Sequence, residues 1–231
     1  MEKIIEAFET LLSMDRELFH ILGVTLKMSF FSTGISCLIG MPLGVLLSKG
    51  YFKGKRTVKK IIRTLMGLPP VVAGLIVYML FTKYGPFGSL GLLYSVEVMI
   101  VAQCLLITPV VIGLTESVAS VTAKTLTETA KGLGLSKCKT LRLLLTENRQ
   151  PLLSVILTAF GRSIAEVGAV SLVGGNIQWK TRVMTTAIVL ETNKGNFPFA
   201  LALGIVLLLI SLAVNSVASA LSKEDREDAR D

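Results

Sequence analysis

Charged side chains inside an apolar run are the first candidates for chemistry in this chain. Arg162 and Glu166 lie four residues apart in the stretch GRSIAEVG. Residues four apart share one face of a helix, and a charge in a membrane helix is expected to face protein or water. Two interpretations are open. Arg162 assists an anion along a pathway that Glu166 shapes or gates, or the two charges neutralise each other and fix the helix against its neighbours.

Neutral polar groups follow this stretch. Asn176 comes directly after Gly174 and Gly175, and Thr185 and Thr186 lie a short distance further along. Hydroxyl and amide groups suit an oxyanion that must leave again, so these residues are predicted near the outer mouth of a pathway. The alternative is that Gly-Gly-Asn only ends a helix.

The polar stretch ETAKGLGL, beginning at Glu128, predicts a helical connection. Thr125 and Glu128 have the spacing of a capping box, which would begin a short helix. Gly132 and Gly134 can adopt positive φ and end it, and Ser136 can cap a second helix over 137–145. Such a rigid element can transmit a partner's movement to the next membrane span. An ordinary surface helix in a loop is the alternative.

Several kinds of active site are not expected. The sequence contains neither G-x-x-x-x-G-K-[S/T] nor G-x-S-x-G, the patterns of phosphate-binding loops and nucleophile elbows. His20 is the only histidine, and the three cysteines lack metal-ligand spacing. The chain is therefore not expected to be an enzyme or to bind a metal or cofactor. If ATP drives its function, another polypeptide hydrolyses it.

Composition places these residues in a membrane protein. The chain has 231 residues, of which 52% are hydrophobic and 17% charged, whereas soluble domains have roughly a quarter charged residues. A membrane-crossing helix needs about 20 mostly apolar residues. Five such runs predict an all-α membrane protein in which 1–231 is a single transmembrane domain. The predicted spans are 24–47, 61–81, 96–114, 152–173 and 199–217.

Charge predicts the orientation of these spans. Basic loops remain in the cytoplasm, and the linkers after the first and third spans are rich in Lys and Arg. The N-terminus is therefore predicted outside, with 1–20 as an interfacial helix, and the C-terminus inside. The region 119–150 becomes a cytoplasmic coupling region. The formal net charge of +8 follows from this topology and from contact with anionic lipids; nucleic acid is not expected as a partner.

Helix breakers and one amide interrupt the spans. Gly67, Pro69, Pro70 and Gly74 cluster in the second span, and Pro109 interrupts the third. Such bends would let parts of the domain rock between inward- and outward-open states, or would only fit a curved neighbour. Gln103 is predicted to form a hydrogen bond to another helix.

The coupling region resembles a known signature. Glu128, Thr129, Ala130 and Gly134 occupy the places of E-A-A-x-x-x-G in ABC importer permeases, with Thr129 replacing the middle alanine. The I-x-L-P continuation of that signature is absent. The resemblance implies that Glu128, Ala130, Gly132 and Gly134 couple the membrane domain to an ATPase.

A narrower resemblance extends from about Leu68 to Phe197. The stretches LPPVVAGLIVYMLF, GPFGSLGLLYS, FGRSIAEVGAVSLVGGNI and TRVMTTAIVLETNKGNF are similar to permeases of tungstate-type ABC importers, which are related to molybdate and sulfate permeases. This implies a type I (MetI/ModB-like) permease in a prokaryotic cell membrane. It also implies a homodimer with cytoplasmic ATPase subunits, which carry ATP and Mg²⁺, and an extracytoplasmic oxyanion-binding protein.

Import of a tetrahedral oxyanion, tungstate first, is the function that these observations favour. Molybdate and then sulfate are the alternative cargoes. A stand-alone secondary anion transporter and a membrane scaffold or sensor without transport are the alternative classes. A secondary transporter would be expected to show ion-coupling residues and inverted repeats, for which the chain offers chiefly Arg162 and Glu166.

Overall fold

The computed structural model describes Glu6, residues 16–49 and residues 53–227, with side chains as far as residue 217. Apart from one 3₁₀ turn at Gly88–Leu90, the regular elements of these ranges are α-helices. They are α1 (Arg16–Lys49), α2 (Lys55–Met66), α3 (Pro70–Phe81), α4 (Val96–Gly132), α5 (Lys137–Glu147), α6 (Arg149–Ile164), α7 (Gly168–Gly174), α8 (Met184–Asn193) and α9 (Phe197–Glu227). The predicted interfacial helix at 1–20 lies mostly outside the described residues, and 16–20 form the start of α1.

Three helices are long and apolar enough to cross a membrane: α1, α4 and the part of α9 that ends at Val217. They contain the predicted spans 24–47, 96–114 and 199–217. The helix pairs α2–α3 and α6–α7 pass the same test together although each is broken, so the structure has three to five candidate spans. Leu208, Leu209 and Leu212 of α9 are 70%, 59% and 63% exposed, as expected for a helix that faces lipid.

The predicted span 61–81 is broken where its helix breakers lie. Gly67 caps the end of α2, and Pro69 has an extended backbone. Pro70 is the first residue of α3, a position where the missing amide hydrogen costs nothing. By contrast, α4 continues through Pro109, so this proline does not interrupt the third span.

Helix α4 also continues through the predicted start of a short helix. Thr125–Glu128 lies inside its 37 residues, so the capping-box prediction is wrong. The reason is burial: Ala119, Ala123 and Ala130 are buried on one helical face, and Leu126 packs with the first two against Val45. A continuous helix keeps that face together, and α4 is about 55 Å long at 1.5 Å per residue.

The chain forms two compact units. The first contains the stretch ending at Ser32, Pro69–Gln103 and Gly161–Val214. A core in it joins Leu18 and Ile21 of α1 to Met184 and Ala187 of α8 and to Ala202 and Leu203 of α9.

The second unit contains Thr33–Leu68, Cys104–Phe160 and the stretch that begins at Asn215. One of its cores includes Ile107 and Val111 of α4 with Val155 and Ala159 of α6. Another of its cores brings Val45 of α1 and Leu144 of α5 against Ala119 and Ala123 of α4.

Candidate functional site

The end of α4 is the first candidate site, and it has the geometry of a Schellman motif. The backbone amide of Leu135 donates to the carbonyl of Ala130 at 2.9 Å, and that of Gly134 donates to Lys131 at 3.0 Å. This pairing needs a left-handed residue at the Gly134 position, and Gly134 has φ of +64°. The helix therefore ends in one defined bend.

The two glycines of the coupling region have different roles. Positive φ was predicted for both, and the prediction is confirmed for Gly134 but wrong for Gly132, which is the last residue of α4. A Cβ atom added to Gly132 would meet nothing within 4 Å. Of these two glycines, only Gly134 requires the conformational freedom of glycine.

The second helix of this connection begins as predicted. Ser136 is the N-cap of α5, and its hydroxyl accepts a hydrogen bond from the backbone amide of Lys139. Leu144 is fully buried and packs against Ala119 and Ala123 of α4. The helix extends to Glu147, slightly beyond the predicted 137–145. Burial of one face makes α4 and α5 a packed hairpin.

A polar pair that was not predicted from the sequence closes this hairpin. The side-chain Nδ2 of Asn148 donates to the Thr122 hydroxyl at 2.9 Å and to the Leu144 carbonyl at 2.8 Å. Asn148 is only 3% exposed, so these bonds satisfy a buried amide. In the sequence, this pair is indicated only by the polar character of Asn148, which lies between α5 and α6. We refer to α4 after Thr122, the bend and α5 as the coupling hairpin.

Within the coupling hairpin, Ala130 is fully buried and Glu128 is exposed. The hairpin thus holds Ala130 in its packed face and presents the Glu128 carboxylate to its surroundings. Gly132 and Gly134 are exposed as well. This arrangement provides a small, rigid surface on which another protein can act.

The second candidate site surrounds the break between α6 and α7. Arg162 is in α6, which ends at Ile164, whereas Glu166 lies beyond that end. The prediction that the two share one helix face is therefore wrong. The Glu166 carboxylate instead accepts a hydrogen bond from the Ala169 amide at 3.1 Å, which satisfies an amide in the first turn of α7. Arg162 is exposed.

Gln103 stabilises the same break from α4. Its Nε2 donates to the Ser163 carbonyl at 2.8 Å, one of the carbonyls that a helix end leaves without a partner. The Ser163 hydroxyl donates to Gln103 Oε1 at 2.7 Å, and the Ser32 hydroxyl of α1 lies 2.9 Å from the Ser163 hydroxyl. All three residues are fully buried. The predicted interhelical hydrogen bond of Gln103 is thus confirmed.

The predicted neutral donors lie close to one another and bond within the fold. The Thr186 hydroxyl is 2.9 Å from Asn176 Oδ1, and the Thr185 hydroxyl donates to the Glu166 carbonyl at 2.8 Å. Asn176 follows Gly175 with φ of +49°, so Gly-Gly-Asn does end α7. In this conformation Asn176, Thr185 and Thr186 position the chain between α7 and α8.

Sequence reasoning missed a buried ion pair in this unit. Arg182 is only 9% exposed, and its Nη1 donates to Glu17 Oε1 at 2.7 Å. A carboxylate from α1 thus compensates the buried guanidinium. The signal available was the apolar context of Arg182 in TRVMTTAIV.

Glu191 of α8 is a second buried charge in the same unit. Burial by itself raises the pKa of its carboxyl, but hydrogen bonds from Lys194 and Asn196 and the charge of Lys194 outweigh burial and lower that pKa. The Lys194 Nζ atom is 2.9 Å from Glu191 Oε1. Among the described residues, no three His, Cys, Asp or Glu side chains are grouped so that they could hold a metal ion.

Comparison with known proteins identifies the family. Residues 40–224 match the family described as binding-protein-dependent transport system inner membrane component. This chain belongs to that family. It is the permease subunit of an ABC importer, and not its ATPase. The all-helical fold and the coupling hairpin are therefore parts of a multi-pass membrane permease.

Curated relatives of the permease include anion transporters. It is 38% identical to the tungstate uptake system permease protein TupB of Peptoclostridium acidaminophilum over 97% of the chain and 100% of that protein. Identity to TupB of Campylobacter jejuni is 41%, over 74% of the chain and 72% of that protein. The sulfate transport system permease protein CysT of Salmonella typhimurium is 28% identical, over 82% of the chain and 71% of that protein.

Solved structures show the same fold. A MetNI methionine ABC transporter in an inward-facing conformation matches the permease with a TM-score of 0.69 and 21% identity, over 88% of this chain and 95% of that chain. A bacterial ABC transporter that imports the acidic polysaccharide alginate matches with a TM-score of 0.70 and 20% identity, over 94% of this chain and 82% of that chain. The predicted fold of a type I importer permease is confirmed.

Proposed function

We propose that the permease imports tungstate. The observation that carries this proposal is its 38% identity to a tungstate uptake permease over 97% of this chain and 100% of that protein. The sulfate permease CysT is more distant, at 28% identity over 71% of its own length. Tungstate, molybdate and sulfate are all tetrahedral dianions, so the choice among them depends on small differences in size and hydration.

The permease works as a homodimer between an extracytoplasmic binding protein and a pair of cytoplasmic ATPase subunits. Those ATPase subunits bind ATP and Mg²⁺, and the permease itself needs no cofactor. Its N-terminus is outside and its C-terminus is in the cytoplasm, because the basic linkers after the first and third spans stay on the cytoplasmic side.

The coupling hairpin receives the movement of the ATPase. Its exposed Glu128 contacts the ATPase, while buried Ala130 and the Gly134 bend keep the contact surface rigid. Because α4 is one continuous helix from Val96 to Gly132, displacement of the hairpin is carried along α4 rather than absorbed in a loop. The same rigid element converts nucleotide hydrolysis into alternating access.

Arg162 is the residue of the permease that meets the anion. It is exposed on α6 next to the helix break, and a guanidinium can bind two oxygen atoms of a tetrahedral anion at once. Glu166 is a positioning residue, because its carboxylate and carbonyl bond to Ala169 and Thr185. Asn176 and Thr186 hold the chain that follows α7 and so shape the mouth of the pathway.

Uptake by the reconstituted complex tests which anion the permease transports. Proteoliposomes that contain the permease, its ATPase and its binding protein should take up labelled tungstate only with ATP. Unlabelled tungstate should inhibit this uptake more strongly than molybdate or sulfate at the same concentration. Stronger competition by molybdate or sulfate would assign that anion instead. Uptake at full speed by the permease without the ATPase would make it a secondary transporter.

A charge reversal tests the coupling role. Glu128→Lys should abolish uptake while the membrane content of the permease and the basal ATPase rate of the purified subunits stay unchanged. The matched control is Glu97→Lys, which changes another exposed glutamate at the start of α4, outside the coupling hairpin. Normal uptake by Glu128→Lys would remove Glu128 from the coupling surface.

A further inference from the structure

Helix α2 has two separate faces that no part of the transport mechanism uses. Val58, Ile61 and Leu65 lie on one face at helical spacing and are 37%, 54% and 37% exposed. Arg56, Lys60 and Arg63 lie on the opposite side of the helix, and no residue of α2 is buried. A short helix with an exposed apolar face and a basic face is typical of a helix in the plane of a membrane surface.

The basic side of α2 continues into a cavity of about 410 Å³. The cations that line it are Lys49, Lys55, Lys59, Lys124 and Lys131. Their carboxylate counterparts in the lining are Glu116 and Glu128. We call this space the lysine cavity. Since its cations outnumber its anions, it favours an anionic occupant.

One of the lysines that line the lysine cavity already has a carboxylate partner. Lys59 forms an ion pair with Glu116, whose residue is only 8% exposed. Lys55 Nζ donates to the Ser48 carbonyl at 3.1 Å. Burial first, and repulsion by Lys59 second, lower the pKa of Lys55, although Glu116 partly opposes them. Repulsion by Lys59 thus disfavours the charge of Lys55, and an anion beside the two would relieve this repulsion.

We propose that the lysine cavity binds the phosphate head group of an anionic phospholipid from the cytoplasmic leaflet. Charge complementarity selects the phosphate, and the exposed apolar face of α2 selects a ligand with acyl chains over a soluble phosphate. The proposal rests on the orientation that places the first linker inside, where anionic lipids attract basic segments. It does not depend on which oxyanion is transported.

Lipid retention tests the proposal. The permease–ATPase complex is purified in mild detergent with phosphatidylglycerol or phosphatidylcholine of identical acyl chains, and bound lipid is counted by native mass spectrometry. Selective retention of phosphatidylglycerol is expected. Each lysine near an anionic surface contributes about fivefold in affinity, so the triple variant Lys49→Gln, Lys55→Gln and Lys124→Gln should lose on the order of a hundredfold.

Matched variants separate the cavity from general surface charge. The control triple Lys53→Gln, Lys137→Gln and Lys139→Gln removes the same charge from exposed positions outside the lysine cavity and should retain the lipid. Substitution of Lys49, Lys55 and Lys124 by arginine should retain the lipid too. If the glutamine triple does not fold, Lys124→Gln alone, at an exposed position, should lose about fivefold against Lys139→Gln.

Four results would overturn the proposal. The cavity variants could retain phosphatidylglycerol fully, the control triple could lose it equally, or the arginine triple could lose as much as the glutamine triple. Displacement of bound lipid by millimolar inorganic phosphate would show that the site selects a soluble anion. Uptake selectivity is measured separately, so failure here leaves the assignment of the cargo intact.

Discussion

Alanine substitutions at Gly132 and Gly134 should have opposite effects although the two glycines are only two residues apart. Gly134 has φ of +64°, where an L residue costs about 1–2 kcal/mol. Gly132 is helical with open space around it, so alanine there should stabilise the end of α4 by about 0.5–1 kcal/mol. The two variants should differ by about 2 kcal/mol.

Hydrogen exchange can measure this difference locally. The amides of Gly134 and Leu135 are the donors of the Schellman motif, and their exchange depends on how often the helix end opens. A peptide that covers the bend should exchange about tenfold faster in Gly134→Ala and about threefold slower in Gly132→Ala, at a factor of ten per about 1.4 kcal/mol. The same Gly134→Ala variant should transport fewer anions per ATP hydrolysed.

Asparagine provides the internal control, because it tolerates the left-handed region better than other residues with a Cβ atom. Gly134→Asn should therefore exchange more slowly than Gly134→Ala. Equal exchange in Gly132→Ala and Gly134→Ala, or greater damage from asparagine than from alanine, would refute the assignment of the bend to Gly134.

Three further predictions concern buried contacts in the first unit. Gln103→Leu should destabilise the detergent-solubilised protein by about 1–2 kcal/mol, at about 0.6 kcal/mol for each interhelical hydrogen bond lost in a membrane protein. Gly74→Ala should cost about 1–3 kcal/mol, because its Cβ atom would lie 2.7 Å from the Ala169 Cα atom. Hydrogen bonds and ionic contact outweigh burial and lower the pKa of Glu191, so its stabilising effect should be full above about pH 4.5 and be lost as pH falls through the folded-state pKa.

Denaturant or thermal unfolding can check all three. Combining Gln103→Leu with Ser163→Ala should cost less than the sum of the single variants, and additive effects would show that their hydrogen bonds are not coupled. Gly23→Ala is the control for Gly74→Ala, because a Cβ atom at Gly23 meets nothing within 4 Å. Glu191→Gln should flatten the acid limb of the stability profile, and an unchanged limb would contradict the role of Glu191.

Local chemistry allowed much of the protein to be predicted from its sequence. Apolar run length located the three continuous spans, because lipid forces the backbone to pair with itself. The break after Gly67 and the N-cap at Ser136 could be predicted for a related reason, since proline geometry and a capping hydroxyl act within a few residues. The sequence also contained the signature around Glu128, by which the family resemblance was recognised.

Tertiary structure alone decided the arrangement of the candidate site. Whether Thr125 begins a helix or continues one depends on the burial of Ala119 and Ala123 against residues of other helices. The position of Glu166 depends on the end of α6 at Ile164, where Gln103 supplies the partner for a backbone carbonyl.

The pair of Arg182 and Glu17 joins positions 165 residues apart, and it shows the same dependence most directly. The free energies of helix caps, turns and amphipathic helices arise from residues that are close in the sequence, so these features can be predicted from it. A buried charge or carbonyl is compensated by partners that are distant in the sequence. Those partners meet only when the chain has folded.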